Sequence, residues 1–210
     1  MKAFDHFIFG GPELESMRRN FASMTGIEAT LGGRHPGLGT RNALASLGDG
    51  VYFELLAVDP EQSLEGNMGG RLQAFEKAHL FAYMLKARDG ELEAAKTVLD
   101  RHGIASDLFD ASRTTPDGTV LRWRLLVPRD NPFGDFVPKF IDWLDTPHPS
   151  GANARGCRFE SFSMGHPQAR DLSALLGELD AQVPVQRADQ PYMHLTVDTP
   201  RGTLVFNGQA

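Results

Sequence analysis

Two stretches of this chain repeat each other. PELESMRRNFASMTGI, residues 12–27, and GELEAAKTVLDRHGI, residues 90–104, share a Glu-Leu-Glu step at Glu13 and Glu91 and a closing Gly-Ile. Apolar side chains recur at three- and four-residue spacing in both, Leu14, Met17, Phe21 and Met24 in the first and Leu92, Ala95, Val98 and Leu99 in the second. That period predicts two amphipathic helices, with Pro12 suited to the first turn and Gly26 to the C-terminal cap of the first one. A unit written twice has to fold twice, so the repeat restricts the architecture before any single residue is weighed.

The flanking runs repeat as well. AFDHFIF at 3–9 is rich in aromatic and branched residues and ends at Gly10, Gly11 and Pro12, which predicts a strand. Strand-like runs follow the first helix at about 27–31, 41–47 and 51–58, giving the order βαβββ. HLFAYMLKARD, the second helix, TVLRWRLLV and FVPKFIDWLD reproduce the pattern from 79 onward, with TPDG at 115–118 read as a turn. A weaker third pass begins at CRFESFSMGHP, continues through ARDLSALLGELDA and ends in YMHLTVDTPRGTLVFNG, where TPRG marks a hairpin. Residues 145–156, DTPHPSGANARG, form the linker before it. The reading is an α+β chain. Residues 1–145 form one domain of two βαβββ modules, about 3–58 and 79–144, and a third βαβββ-like module, 156–207, packs on it.

Composition narrows the partners. With 210 residues, 41% of them hydrophobic, the chain can build a core without staples, and its single Cys157 excludes an internal disulfide. No window approaches the roughly 18 apolar residues of a membrane span. A formal net charge of -6 argues against a broad nucleic-acid surface. Asp5 and His6 interrupt the apolar run that a signal peptide needs, so the expected location is the cytoplasm and the expected partner a small molecule.

Within strands that want burial, single polar residues stand out. His6 shares a strand face with Phe4 and Ile8, and Glu54 shares one with Tyr52, Leu56 and Val58. A His and a carboxylate on neighbouring strands make half of a nitrogen-and-oxygen metal site; they are equally consistent with hydrogen-bonded core residues or with an ion pair from Glu54 to Arg122 or Arg124. Aligning VYFELL with KFIDWL sets Asp142 opposite Glu54, as a third ligand or a proton carrier, whereas aligning the helices sets Met84 opposite His6. His35, in the Gly-rich GGRHPGLGTRN, has Thr40 and Asn42 close by and suits a loop that approaches a ligand. Arg122 shares its strand face with Arg124 and makes a candidate carboxylate clamp or a solvated outer face, while Trp123, Trp143, Tyr52 and Phe140 are candidate pocket walls. His148, His166, His194 and Cys157 read as structural.

The pieces DHFIFGGPELE, GGRHPGLGTRNALASLGDGVYFELLAVDP, TPDGTVLRWRLL and FIDW followed by HPS cover most of residues 4–165, and in them the chain resembles the glyoxalase-like proteins of the vicinal oxygen chelate superfamily. That group includes glyoxalase I, extradiol dioxygenases and antibiotic-binding resistance proteins. The resemblance implies curved mixed sheets around a cleft, with helices outside. It further implies a divalent metal ion on His6 and Glu54 and lyase, isomerase or dioxygenase chemistry on a vicinal-oxygen substrate. Its alternative is a metal-free binding protein of the same fold. The third module, beyond the two that such a domain needs, is expected to cover the sheet edge, complete a cleft with the first unit or form a homodimer contact.

Overall fold

The computed structural model describes residues 2–88, 90–115 and 118–209. Pro116 and Asp117 of the expected TPDG turn lie outside the described residues. Three successive passes have the same order. The first is β1 (Phe4–Gly11), α1 (Leu14–Thr25), β2 (Thr30–His35), β3 (Thr40–Ser46) and β4 (Tyr52–Val58). After a short helix α2 (Met68–Gln73), the second is β5 (His79–Lys86), α3 (Glu91–Arg101), β6 (Ser106–Thr114), β7 (Val120–Pro128) and β8 (Lys139–Asp142). The third is β9 (Arg158–His166), α4 (Ala169–Glu178), β10 (Val185–Arg187), β11 (Tyr192–Thr199) and β12 (Gly202–Gln209). No helix among the described residues is long and apolar enough to cross a membrane.

The first two passes close into one barrel, in the order β1-β4-β3-β2-β6-β7-β8-β5, and the third forms a separate 4-stranded sheet. Closure needs the two units to meet twice. β1 lies antiparallel to β5 over most of its length, while β2 meets β6 at the single pair Arg34–Thr114. There Gly33 takes φ 155 and a Cβ on it would collide with the Thr114 carbonyl, so only glycine admits so close an approach. Beside it the pairing of β2 with β3 shifts register between Leu31 and Gly33.

Alternation along the strands divides the barrel into two apolar clusters. Phe7, Phe53, Tyr83 and Phe140 point outward into the larger one, together with helix residues such as Leu14, Phe21, Leu92 and Leu99. Ile8, Leu56, Met84, Leu125 and Ile141 point inward, joined by Leu72 of α2. The third sheet covers the outer face. Phe162 packs its ring 5.0 Å from Phe7 and 4.9 Å from Tyr83, and Phe206 sits 4.6 Å from Phe53.

Phe162 is thus shared between barrel and third sheet. Replacing it with Ala removes a buried ring from a dry interface and is expected to lower stability by about 3–5 kcal/mol in urea unfolding. A loss below about 1 kcal/mol would mean that the two sheets are not one cooperative unit.

Candidate functional site

The inward faces enclose a cavity of about 580 Å³. Of the residues singled out from the sequence, His6, His35, Thr40, Asn42, Tyr52, Glu54, Trp123 and Trp143 line it. Parallel pairing of β1 with β4 sets His6 beside Tyr52 and Ile8 beside Glu54, so the imidazole and the carboxylate emerge on the same side of neighbouring strands. His6 Nε2 lies 3.5 Å from Glu54 Oε2, and the Tyr52 ring stacks on His6 at 4.4 Å.

Asp5, which strict alternation would turn away from His6, joins the same network. The pairing of β1 with β5 shifts register between Phe4 and His6, and such a bulge re-aims adjacent side chains. Asp5 Oδ1 meets His6 Nδ1 at 2.7 Å, while Oδ2 receives Trp143 Nε1–H at 3.1 Å and faces His148 Nε2 at 3.0 Å. Ser150 N–H donates to His148 Nδ1, which leaves Nε2–H as the donor to Asp5. Burial alone would raise the Asp5 pKa. The hydrogen bonds from His148 and His6 outweigh it and hold the carboxyl well below the usual range. An ionised Asp5 keeps the His6 proton on Nδ1, so Nε2 offers its lone pair to the cavity.

Glu54 accepts a hydrogen bond from Asn42 Nδ2 at 2.5 Å. The same amide nitrogen faces His35 Nε2 at 3.3 Å, so His35 carries its proton on Nδ1 and donates to Thr40 Oγ1 at 2.8 Å. Asn42 Oδ1, directed at Gly32 where any Cβ would collide with it, is buried without a partner. His35, expected in a Gly-rich loop, is the last residue of β2 and is buried. Burial pushes its pKa down to about 4, against the attraction of Glu54, so the imidazole is neutral at pH 7.

Three sequence-based assignments change. Asp142 is not part of the cavity wall; it caps the end of β8, accepting from Leu144 N–H at 2.9 Å. The cause is one residue of register. β5 pairs with β8 as Met84–Lys139 and Lys86–Ile141, where β1 pairs with β4 as His6–Tyr52 and Ile8–Glu54. The counterpart of Glu54 is therefore Ile141, and a slip of one position moves a side chain to the other face. Phe140 points into the outer core for the same reason. Arg122 is exposed outside the barrel because its neighbours Leu121 and Trp123 point in. Arg124 pairs outside with Glu93 and Asp110, so neither arginine is the partner of Glu54.

The metal expectation also changes. His6 and Glu54 supply two donors, and the positions related to them in the second unit carry Met84 and Ile141. Among the described residues no group of three or more His, Cys, Asp or Glu side chains is placed to hold an ion. Catalytic ions generally take three or more protein ligands, so this donor set does not fit the resident ion that the resemblance implies.

Other charged wall residues escaped the sequence reading. Lys139 is buried and meets Asp135 Oδ1 at 3.2 Å, and Arg71 of α2 donates to the same oxygen at 3.1 Å. Burial would raise the Asp135 pKa, but Lys139 and Arg71 hold it low. The signal was legible: Lys139 stands in FVPKFID as Glu54 stands in VYFELL. Asp5 and His148 gave no such signal, because a bulge and a linker contact bring them in. Arg113 of β6 is also buried in the wall.

A closed barrel of paired βαβββ units around a polar-and-apolar cavity is the architecture of the vicinal oxygen chelate class. Within that class the chain belongs to the glyoxalase-like domain family, whose model matches residues 4–179. No curated protein matches it. Among solved structures, a hypothetical protein from Staphylococcus aureus is similar over 100% of this chain and 86% of its own, at 19% identity and TM-score 0.67. A methylmalonyl-CoA epimerase in complex with methylmalonyl-CoA and NH4+ is similar over 71% of this chain and 99% of its own, at 17% identity and TM-score 0.47. The methylmalonyl-CoA epimerase from Mycobacterium tuberculosis is similar over 71% of this chain and 91% of its own, at 15% identity and TM-score 0.46.

The neutral, buried His35 makes stability depend on pH. An unfolded chain protonates histidine near 6.5, the folded one only near 4, so between those values the unfolded state binds more protons and stability drops as the pH is lowered. The shift corresponds to about 3 kcal/mol. His35→Gln is expected to remove that component, losing less stability than the parent between pH 7 and 4.5 in urea unfolding. Parallel pH curves would count against a neutral His35.

Proposed function

We propose that the chain is a small-molecule enzyme of the vicinal oxygen chelate type that moves a proton on an oxygen-bearing substrate, an isomerase- or lyase-type reaction. One observation carries this reading: Glu54 Oε2 and His6 Nε2 face each other at 3.5 Å in the cavity wall, with His6 Nδ1 held from behind by Asp5. Two acceptors at that separation call for a proton between them or on an incoming substrate. Glu54 is the group that takes the substrate proton, since Asn42 occupies its other oxygen and fixes its plane. Passing that proton to His6 Nε2 leaves an imidazolium whose charge Asp5 balances. Tyr52, whose pKa burial raises well above 10, stays neutral and keeps its hydroxyl proton.

A divalent ion on His6 and Glu54 has only two protein donors behind it and is not used here. The second reading, a binding protein without chemistry, rests on the aromatic wall, where the Trp123 and Trp143 rings lie 5.2 Å apart.

Exchange of substrate hydrogen with deuterated water, followed by NMR over a panel of small 2-oxo acids, ketones and thioesters, tests the proposal. The wild type is expected to label at least one compound, and Glu54→Gln to slow labelling by roughly 10²–10⁴-fold. Asp5→Asn is expected to slow it less while binding persists. Labelling that is unchanged in Glu54→Gln overturns the reading. Retention of a panel compound without any exchange favours the binding protein. Elemental analysis of the same samples is expected to find no stoichiometric metal lost on His6→Ala.

A further inference from the structure

Among the described residues, the buried charged groups of the cavity wall are matched, with one exception. Glu54 has Asn42 and His6, and Lys139 and Arg71 share Asp135. Arg113 is only 4% exposed, yet no carboxylate among the described residues lies within ion-pair distance of it. Its Nη1 donates to the Gly32 carbonyl at 2.5 Å, a contact that fixes the plane of the guanidinium beside the Gly32–Gly33 approach. No other hydrogen bond from this side chain is made to a described residue. A guanidinium carries five N–H donors in a rigid fork, so most of them are left to whatever enters the cavity.

An uncompensated buried cation is costly: desolvation penalises the charged form, and here burial does lower the Arg113 pKa, opposed by Tyr52 and Glu54. A purely structural role would not require the charge, because a neutral amide could bind the Gly32 carbonyl equally well. The cost is recovered if an anion completes the site.

We infer that Arg113 is the receptor for a carboxylate on the substrate, and that the ligand is a small carboxylate with a flat apolar body. The fork suits two carboxylate oxygens in one plane. The body is defined by the neighbouring wall, since Trp123, Trp143, Tyr52, Leu56 and Leu125 all line the same cavity. Arg113 and Glu54 line the same cavity, so a carboxylate held on Arg113 shares that cavity with the proposed proton-transfer group. The inference rests on the reading of this cavity as the small-molecule site, but not on the chemistry assigned to Glu54.

Its test is binding, which separates it from turnover. The chain's 2 tryptophans, Trp123 and Trp143, both line the cavity, so their fluorescence reports its occupancy. Benzoate, phenylacetate and indole-3-acetate are titrated against the corresponding amides in the full-length wild type, Glu54→Gln, Arg113→Gln and Arg113→Lys proteins. At least one carboxylate is expected to bind the wild type about tenfold or more tightly than its amide. Glu54→Gln should keep that preference. Arg113→Gln should reduce it to within about twofold and Arg113→Lys should retain part of it, because the charge remains and the fork is lost. Without ligand, Arg113→Gln is expected to melt no lower than the wild type. Equal affinity for carboxylate and amide, binding of neither by the wild type, or a preference that survives Arg113→Gln overturns the inference. If Arg113→Gln does not fold, an unweakened preference in Arg113→Lys does so.

Discussion

Asp5 is a carboxylate with no exposed surface, and the orientation of the site follows from how it is satisfied. A buried carboxylate survives only with donors around it, and this one draws three from three parts of the chain: His6 of its own strand, Trp143 just after β8, and His148 in the segment leading to the third sheet. The contacts therefore do two things at once. They fix the His6 tautomer, which decides what that imidazole presents to the cavity, and they tie the crossing segment across the barrel. A neutral side chain at position 5 could occupy the space but could not hold the Nδ1 proton as firmly.

Such a network is tolerable because little of the chain's stability has to come from inside the barrel. The larger apolar cluster lies outside, between the barrel, α1, α3 and the third sheet, and it holds the most completely buried aromatics, among them Phe7, Phe53, Tyr83 and Phe140. A barrel filled with branched side chains would be the simpler solid. Moving the dry core to the outer face leaves the inner one to carry His6, Glu54, Asn42, His35, Arg113 and Lys139, each with a desolvation cost that the outer packing offsets.

The repeat made the βαβββ order and the α+β class readable, because period and turn residues are local properties. Alternation was enough to turn His6, Tyr52, Glu54 and Trp123 inward. What failed was register. Nothing local in KFIDWL distinguishes the face of Asp142 from that of Ile141, and the decision is made by pairing with β5, more than 50 residues earlier in sequence. Asp5 was hidden for a related reason: a bulge suspends alternation and is visible only against the partner strand. His35 was drawn into β2 by two glycines that read as a loop, though they are where β2 passes close to β3 and β6. Lys139 was missed despite carrying the same signal as Glu54, a lone charge in an apolar strand.

The two halves of the barrel share a backbone plan but not a chemistry. Antiparallel pairing of β1 with β5 sets His6 against Met84, so the related positions of the two units face each other across the seam. A thioether and the branched alkyl of Ile141 stand where a symmetric site would repeat His6 and Glu54, while Lys139 stands where it would repeat Tyr52. The proposed proton-handling groups thus lie in one half, and the other half contributes Arg113 of β6, a largely apolar wall and a self-contained Lys139–Asp135–Arg71 group at its edge. A ligand entering such a cavity meets a different surface on each side and can be held in one direction only. The two copies of the unit thus keep one backbone plan while presenting different side chains to the cavity, His6 and Glu54 from the first and Met84, Ile141 and Arg113 from the second.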